Sequence, residues 1–290
     1  MPSTLFSPLT LRGITCPNRI TVAPMCQYQA VDGVPQDWHL VHLGQFAQAG
    51  SGLIFTEATG VEPEGRITLG CTGLYDDATE AAWTRIVAFM KSVGDARVGM
   101  QLSHAGRKGS TVAPWEGGGL IEGAGAWVTD APSAVPYLPG WPEPRAMDDA
   151  ALARVKAAFV DATQRADRAG FEVIQLHAAH GYLLHQFLSP ITNTRSDGYG
   201  GSPEARMRYP LEVFEAVRAA FPADKSVMVR LSATDWIEGG WDVDQSVVFC
   251  RALREMGCDM IDVTSGGLDQ RQKITTGPGY QVAFGARIRR

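Results

Sequence analysis

The run Glu172-Val173-Ile174-Gln175-Leu176-His177-Ala178-Ala179-His180-Gly181-Tyr182 decides how this chain is read. Its first half is apolar and β-branched, the composition of a buried strand. Alternation puts Val173, Gln175 and His177 on one face. Gly170 stands just before it, where a helix would close. The preceding Asp148–Ala169 segment spaces Leu152, Val155, Phe159 and Ala162 at helical intervals behind an Asp148 cap. A helix thus leads into a buried strand whose C-terminal end carries two imidazoles and a phenol.

The same unit recurs along the chain. Strands are expected at Arg19–Met25, Leu53–Thr59, Val98–Ser103, Glu172–His177, Val227–Ser232 and Met260–Thr264. Helices are expected at Gln36–Ala49, Ala81–Val93, Asp148–Ala169, Pro203–Phe221 and Asp242–Met256, with Ser202 capping and Pro203 at the first helical position of the fourth. Gly50, Gly94, Gly170 and Gly257 are expected to close helices at positive φ. Short apolar strands alternating with amphipathic helices mean an α/β protein with a helix-covered parallel sheet. Neither G-x-G-x-x-G after the first strand nor G-x-x-x-x-G-K-[ST] occurs, which speaks against a dinucleotide-binding open sheet and a P-loop. Polar residues collect instead at many strand ends, the pattern of a (β/α)8 TIM barrel.

Only about six of eight strand–helix units are counted, and a complete barrel takes about 250 residues plus insertions. The sequence runs to Arg290 inside a helix expected from near Tyr280, so the expectation is a C-terminally truncated, single incomplete barrel domain over 1–290. Residues 1–18 read as an N-terminal cap on the barrel floor. The Gly-, Pro- and Trp-rich connection 107–147 reads as a lid-like loop.

Composition narrows the function. Of 290 residues, 45% are hydrophobic and 20% charged, which excludes a disordered chain. A net charge of −5 argues against nucleic acid as partner. No apolar run approaches the roughly 18 residues of a membrane span, and no signal peptide is visible. Five cysteines, none spaced C-x-x-C, point to reduced thiols and a cytoplasmic protein rather than disulfides or zinc.

The strand ends supply the candidate chemistry. His177, His180 and Tyr182 could bind a carbonyl oxygen and deliver a proton. Structural histidines, or a metal pair completed by Glu57, His104 or Asp235, are the alternatives. The other ends carry Ala23-Pro24-Met25-Cys26-Gln27-Tyr28, Glu57-Ala58-Thr59-Gly60, Gln101-Leu102-Ser103-His104-Ala105-Gly106-Arg107-Lys108 and Arg230-Leu231-Ser232-Ala233-Thr234-Asp235. Arg230 inside an apolar strand must bind an anion or be paired, for instance with Glu172 or Asp262.

Taken in order, Pro24-Met25-Cys26-x-Tyr28, Glu62-Pro63-Glu64-Gly65-Arg66-Ile67-Thr68, His104–Lys108, His177–Tyr182, Tyr199-Gly200-Gly201-Ser202-Pro203-Glu204-x-Arg206 and Gly279-Tyr280-Gln281-Val282 resemble the Old Yellow Enzyme family of flavin-dependent ene reductases. The similarity runs from Leu5 to the end of the chain. It is greatest to the bacterial subclass with cysteine in the first-strand motif, which includes xenobiotic reductases and NADPH dehydrogenases. The resemblance implies FMN at the C-terminal mouth of the barrel, with NADPH or NADH as hydride donor and an activated alkene as small-molecule substrate. Ala23, Pro24, Met25 and Cys26 would line the flavin, with Cys26 tuning its potential and Ala58 packing nearby. Gln101 would meet the pyrimidine edge, and Arg230 the N1/C2-carbonyl side. His177 and His180 would hold the substrate oxygen, Tyr28 and Lys108 would contact the substrate, and Tyr182 would donate the proton. Barrels of this type bind phosphate after their seventh and eighth strands, so no phosphate residues are named. The resemblance also implies a homo-oligomer when full length. Two other readings remain at this stage: an inactive or partner-dependent barrel fragment, and an iron–sulfur dienoyl-CoA reductase-like enzyme.

Overall fold

Six parallel strands, hydrogen-bonded edge to edge, form one curled sheet in a computed structural model that describes residues 3–290. Met1 and Pro2 of the expected N-terminal cap lie outside the described residues. In chain order the strands are β1 (Leu9–Leu11), β2 (Ile14–Cys16), β3 (Thr21–Val22), β4 (Leu53–Gly60), β5 (Arg97–Ser103), β6 (Asp130–Ala131), β7 (Arg145–Ala146), β8 (Val173–Ala178), β9 (Ser226–Ser232) and β10 (Met260–Thr264). The helices are α1 (Asp37–Gln48), α2 (Asp77–Val93), α3 (Asp149–Arg168), α4 (Leu183–Leu188), α5 (Pro203–Ala220), α6 (Val243–Glu255) and α7 (Val282–Arg289). The curled sheet runs β10-β9-β8-β5-β4-β3, a half-barrel built from units of the (β/α)8 type.

The helices form where caps and apolar stripes place them. Asp148, Ser202 and Asp242 each accept a backbone N–H at the start of α3, α5 and α6. On α2, Trp83, Ile86, Val87 and Met90 are buried, and on α3 Leu152, Val155, Phe159 and Ala162. Both stripes join one core against the strands. Beneath the sheet, the β1–β2 hairpin contributes Leu11 and Cys16 to a smaller cluster with Leu53, Phe55, Val173 and Met228.

Four local expectations change. The first strand keeps its ladder only at Thr21 and Val22, opposite Leu53 and Ile54. Pro24 offers no N–H to continue it, and the neighbouring β4 shifts register between Phe55 and Ala58. Helix α2 starts at Asp77, four residues before the expected Ala81, because Asp76 caps it through the Thr79 amide at 2.8 Å. Gly50, Gly170 and Gly257 adopt positive φ, but Gly94 is extended at φ −166°. Gly94 is required for space: a Cβ there would lie 2.2 Å from the Ala47 carbonyl oxygen. The fourth change is α4, which follows the His180-Gly181 turn directly and is too short to show a period in the sequence.

Candidate active site

Strand register assembles the site. Ala58, Gln101 and Gln175 are neighbours across β4, β5 and β8. His177, Arg230 and Asp262 are neighbours across β8, β9 and β10. Side chains alternate along strands, so these rows project to the same side at successive heights. Gln101 Nε2 donates to Gln175 Oε1 at 2.7 Å, and Gln175 Nε2 to Asp262 Oδ2 at 3.2 Å. Arg230 Nε lies 3.4 Å from Asp262 Oδ2 without a well-formed hydrogen bond. Of the two ion-pair partners considered for Arg230, Glu172 is taken by Arg97 at 3.0 Å, and Asp262 is the neighbour.

Three rings meet at the end of β8. His177 and His180 stand edge to face with centroids 5.2 Å apart, and so do His177 and Tyr182 with centroids 4.9 Å apart. His177 Nδ1 is buried without a partner. His180 Nε2 is 3.0 Å from Thr264 Oγ1, and Gln281 Nε2 donates to the same hydroxyl at 3.2 Å. His180 adopts φ +57°, a region that L residues seldom occupy. The turn holds it there because its backbone packs directly on the loop after β10: a Cβ on Gly267 would come within 2.6 Å of His180 Cα.

Burial sets the charge states. It lowers the pKa of His177 well below the usual imidazole range, assisted by the neighbouring His180 and Arg230. Burial, with Arg230 and Lys108 nearby, brings His180 down to about 3. Both rings are therefore neutral near pH 7, each with one N–H to donate. Burial raises Tyr182 well above its ordinary value, with the Cys26 and Tyr28 groups adding to the effect, so its phenol keeps its proton. Cys26 is likewise a thiol, raised by burial, with Cys71 and Glu57 adding to the effect. Ala23 and Met25 are exposed and Pro24 half-buried, which leaves the 23–26 backbone open along one side.

Lys108 is spent largely on protein. Its Nζ donates to the His180 carbonyl at 2.8 Å and the Gly267 carbonyl at 2.9 Å. The ammonium sits 5.0 Å over the rings of both Tyr182 and Tyr137. Burial, followed by repulsion from Arg107, brings its pKa down to about 8. Arg107 donates to the carbonyls of Val135, Pro136 and Leu268, tying the long connection after β5 to the loop after β10.

The three acidic or imidazole groups weighed as metal ligands go elsewhere. Glu57 pairs with His39 at 2.9 Å, His104 with Glu62 at 2.9 Å, and Asp235 with His185 at 2.8 Å. Among the described residues no three His, Cys, Asp or Glu side chains converge as a metal site. His185, Thr264, Tyr137 and the Glu62–Arg154–Asp130 chain are site-supporting residues that the sequence reading missed. Glu62 and Gln281 did stand in quoted motifs. The others lie outside every motif and carry no local signal.

Gln101 retains a free carbonyl oxygen beside a donor already used, Arg230 keeps an unpartnered Nε, and the 23–26 backbone is uncovered. These groups fit the alternating acceptors and donors of a flavin pyrimidine edge and a cation beside its N1.

The sequence matches the model of the NADH:flavin oxidoreductase / NADH oxidase family over residues 4–282. The chain belongs to this family. It is an NAD(P)H-dependent flavin oxidoreductase of the Old Yellow Enzyme type, with FMN as cofactor. It is 43% identical to an NADH:flavin oxidoreductase of Gibberella zeae, over 99% of this chain and 73% of the relative. It is 42% identical to the NADPH dehydrogenase of Geobacillus thermodenitrificans, over all of this chain and 81% of the relative. Among solved structures, morphinone reductase superimposes with a TM-score of 0.81 at 31% identity, covering 99% of this chain and 77% of the other. The Old Yellow Enzyme homologue from Zymomonas mobilis gives 0.80 at 28% identity, covering 99% and 79%.

Proposed function

We propose that this flavin oxidoreductase reduces the C=C bond of α,β-unsaturated carbonyl or nitro compounds, with Tyr182 as proton donor. The observation that carries the reading is the ring cluster at the end of β8, where the His177 centroid lies 5.2 Å from that of His180 and 4.9 Å from that of Tyr182. FMN bound at the mouth supplies the hydride, taken from NAD(P)H and passed to the alkene β-carbon. The chain's residues supply the remainder. His177 and His180 donate hydrogen bonds to the substrate oxygen. Negative charge grows on that oxygen as the β-carbon is reduced, so each preorganised donor counts most in the transition state, at roughly 3 kcal/mol. Tyr182 Oη–H gives its proton to the α-carbon and recovers one from water. Lys108, above the Tyr182 ring, favours the negative charge left on that oxygen. Gln101 and Arg230 hold the pyrimidine edge, Ala23, Pro24, Met25, Cys26 and Ala58 line the ring, and Tyr28 shapes the substrate side. Segment 107–147 serves as the lid.

The test separates the two half-reactions under anaerobic conditions. Flavin absorbance should bleach with NADPH and return on adding 2-cyclohexenone. Tyr182→Phe should slow the return about a hundredfold, the range of one general acid, and slow bleaching far less. Equal losses in both phases would contradict the role.

A further inference from the structure

Strand β4 is bulged at the height of the site. Phe55 pairs with Gly99 and Ala58 with Gln101, so Thr56 and Glu57 together oppose Met100 alone. The displaced backbone is caught by hydroxyls. The Glu57 carbonyl accepts from Thr59 Oγ1 at 2.9 Å and from Thr56 Oγ1 at 3.1 Å, and the Gln101 N–H donates to Thr56 Oγ1 at 3.3 Å. The extra residue breaks the alternation of the strand. Ala58 keeps its place in the row of Gln101, and Glu57 turns to α1.

Glu57 is 3% exposed, and both its oxygens meet donors. Oε2 accepts the Gln27 N–H at 3.2 Å. Oε1 lies 2.9 Å from His39 Nε2, out of line for a well-formed hydrogen bond. An added proton would point at one of these donors, so the carboxylate is the form that fits. His39 Nδ1 accepts the Gln36 N–H at 2.9 Å, which leaves the ring a single proton, on Nε2, and no charge. Among the described residues this neutral ring is the one ion-pair neighbour of Glu57. A buried carboxylate without a cation is expensive to keep.

The residue it holds stands between Cys26 and Tyr28. The Gln27 side chain is fixed as well: Nε2 donates to the Met25 carbonyl at 2.8 Å, and Oε1 accepts the Trp38 indole N–H at 3.0 Å. Tyr28 is held at φ +53°, a conformation that persists where the surroundings enforce it. Glu57 and the first turn of α1 thus grip the 25–28 backbone from behind. The charge reaches the front of that segment: burial, then Cys71, then Glu57 raise the Cys26 thiol.

We propose that Glu57 is a positioning residue for the flavin site. It fixes the Cys26 wall through the Gln27 amide, and its charge keeps the reduction potential of bound FMN low. Reduced flavin carries negative charge, so a fixed carboxylate behind Cys26 disfavours it, against Arg230, which favours it. The inference rests on the reading that Cys26 lines the ring and adds a residue to that site.

Three variants of the FMN-loaded enzyme test it. Glu57→Gln keeps an acceptor for the Gln27 N–H and removes the charge. At a given potential its ratio of reduced to oxidised flavin should rise about tenfold, an upward shift of about 30 mV for a two-electron couple. Glu57→Asp keeps the charge and shortens the reach by one methylene. Its potential should stay near the wild-type value, and hydrogen exchange at the Gln27 amide should quicken at least tenfold. An unchanged potential in Glu57→Gln, or an equal shift in Glu57→Asp, overturns the electrostatic role. Unchanged exchange in Glu57→Asp overturns the positioning role, and this variant decides even where Glu57→Gln does not fold. Lower thermal stability with potential and exchange both unchanged would leave Glu57 purely structural. Cys26→Ala checks the underlying reading, because it should move both the flavin absorbance and the potential. Wild-type values in Cys26→Ala would instead overturn the Cys26 lining, whatever the Glu57 variants show.

Discussion

His185 Nε2 lies 2.8 Å from Asp235 Oδ1, and neither side chain reaches solvent. The other imidazole nitrogen, Nδ1, accepts the Gly181 N–H at 2.9 Å. That bond places the ring proton on Nε2, aimed at the carboxylate. Asp235 Oδ2 takes two further donors, Ser189 Oγ at 2.6 Å and the Trp241 N–H at 2.7 Å. The pair therefore joins the turn between His180 and Tyr182 to α4 and to the loop after β9. His185 acts through that turn as a positioning residue, one step behind the rings.

Asp235→Asn tests this. An asparagine side chain can present an N–H to His185 and move the ring proton to Nδ1, where it opposes the Gly181 N–H. Weakening a buried hydrogen bond to a carboxylate costs about 2 kcal/mol of stability. Displacement of the turn should lower the rate of flavin reoxidation by enone at least tenfold, while KM for NADPH moves little. A purely structural role would show as lost stability with both half-reactions scaled alike.

Lys108 sets a pH dependence. Its pKa of about 8 lies below the ordinary lysine value, because the buried ammonium is costly and Arg107 is close. Below pH 8 the charge sits over Tyr182 and supports proton donation. The rate of alkene reduction should fall as pH rises through about 8, and that limb should vanish in Lys108→Met. Stability runs the other way. The folded state holds fewer protons than the unfolded state between about pH 8 and the ordinary lysine value, so stability from this group rises with pH across that window. Thermal unfolding of wild type and Lys108→Met at pH 7, 8, 9 and 10 reads the sign.

Arg154 bridges Glu62 and Asp130, and Arg145 supports Asp130 from the other side. Hydrogen bonds and charge from these arginines, and from His104 at Glu62, outweigh burial and hold both carboxyl groups below the usual range. Their contribution is present above the ordinary carboxylate pKa and is lost as pH falls through the depressed values. Arg154 is 42% exposed, which discounts the pair. Arg154→Met should cost about 2 kcal/mol, a Tm drop of roughly 4–8 °C. It should also flatten the loss of stability between pH 5 and 3. A variant that unfolds at the wild-type temperature would show that the chain of charges does not anchor segment 107–147.

The alternation of strand and helix was legible in the sequence because its determinants are local. A capping carboxylate at Asp148 or Asp242 acts over three residues, an apolar stripe over four, and a closing Gly170 over one. The collection of polar residues at strand ends was legible for the same reason, and it directed attention to His177, His180, Tyr182, Gln101 and Arg230. Which of them stand side by side was decided by the tertiary structure. Register places His177 next to Arg230 and Arg230 next to Asp262, and curl of the sheet brings Lys108 onto the carbonyl of Gly267. His185 finds Asp235 across fifty positions, and Trp115 finds Tyr28 through a long connection with no period of its own. Those encounters depend on strand pairing and chain closure, which couple residues distant along the chain and leave no mark in the local pattern of residues that the sequence by itself displays.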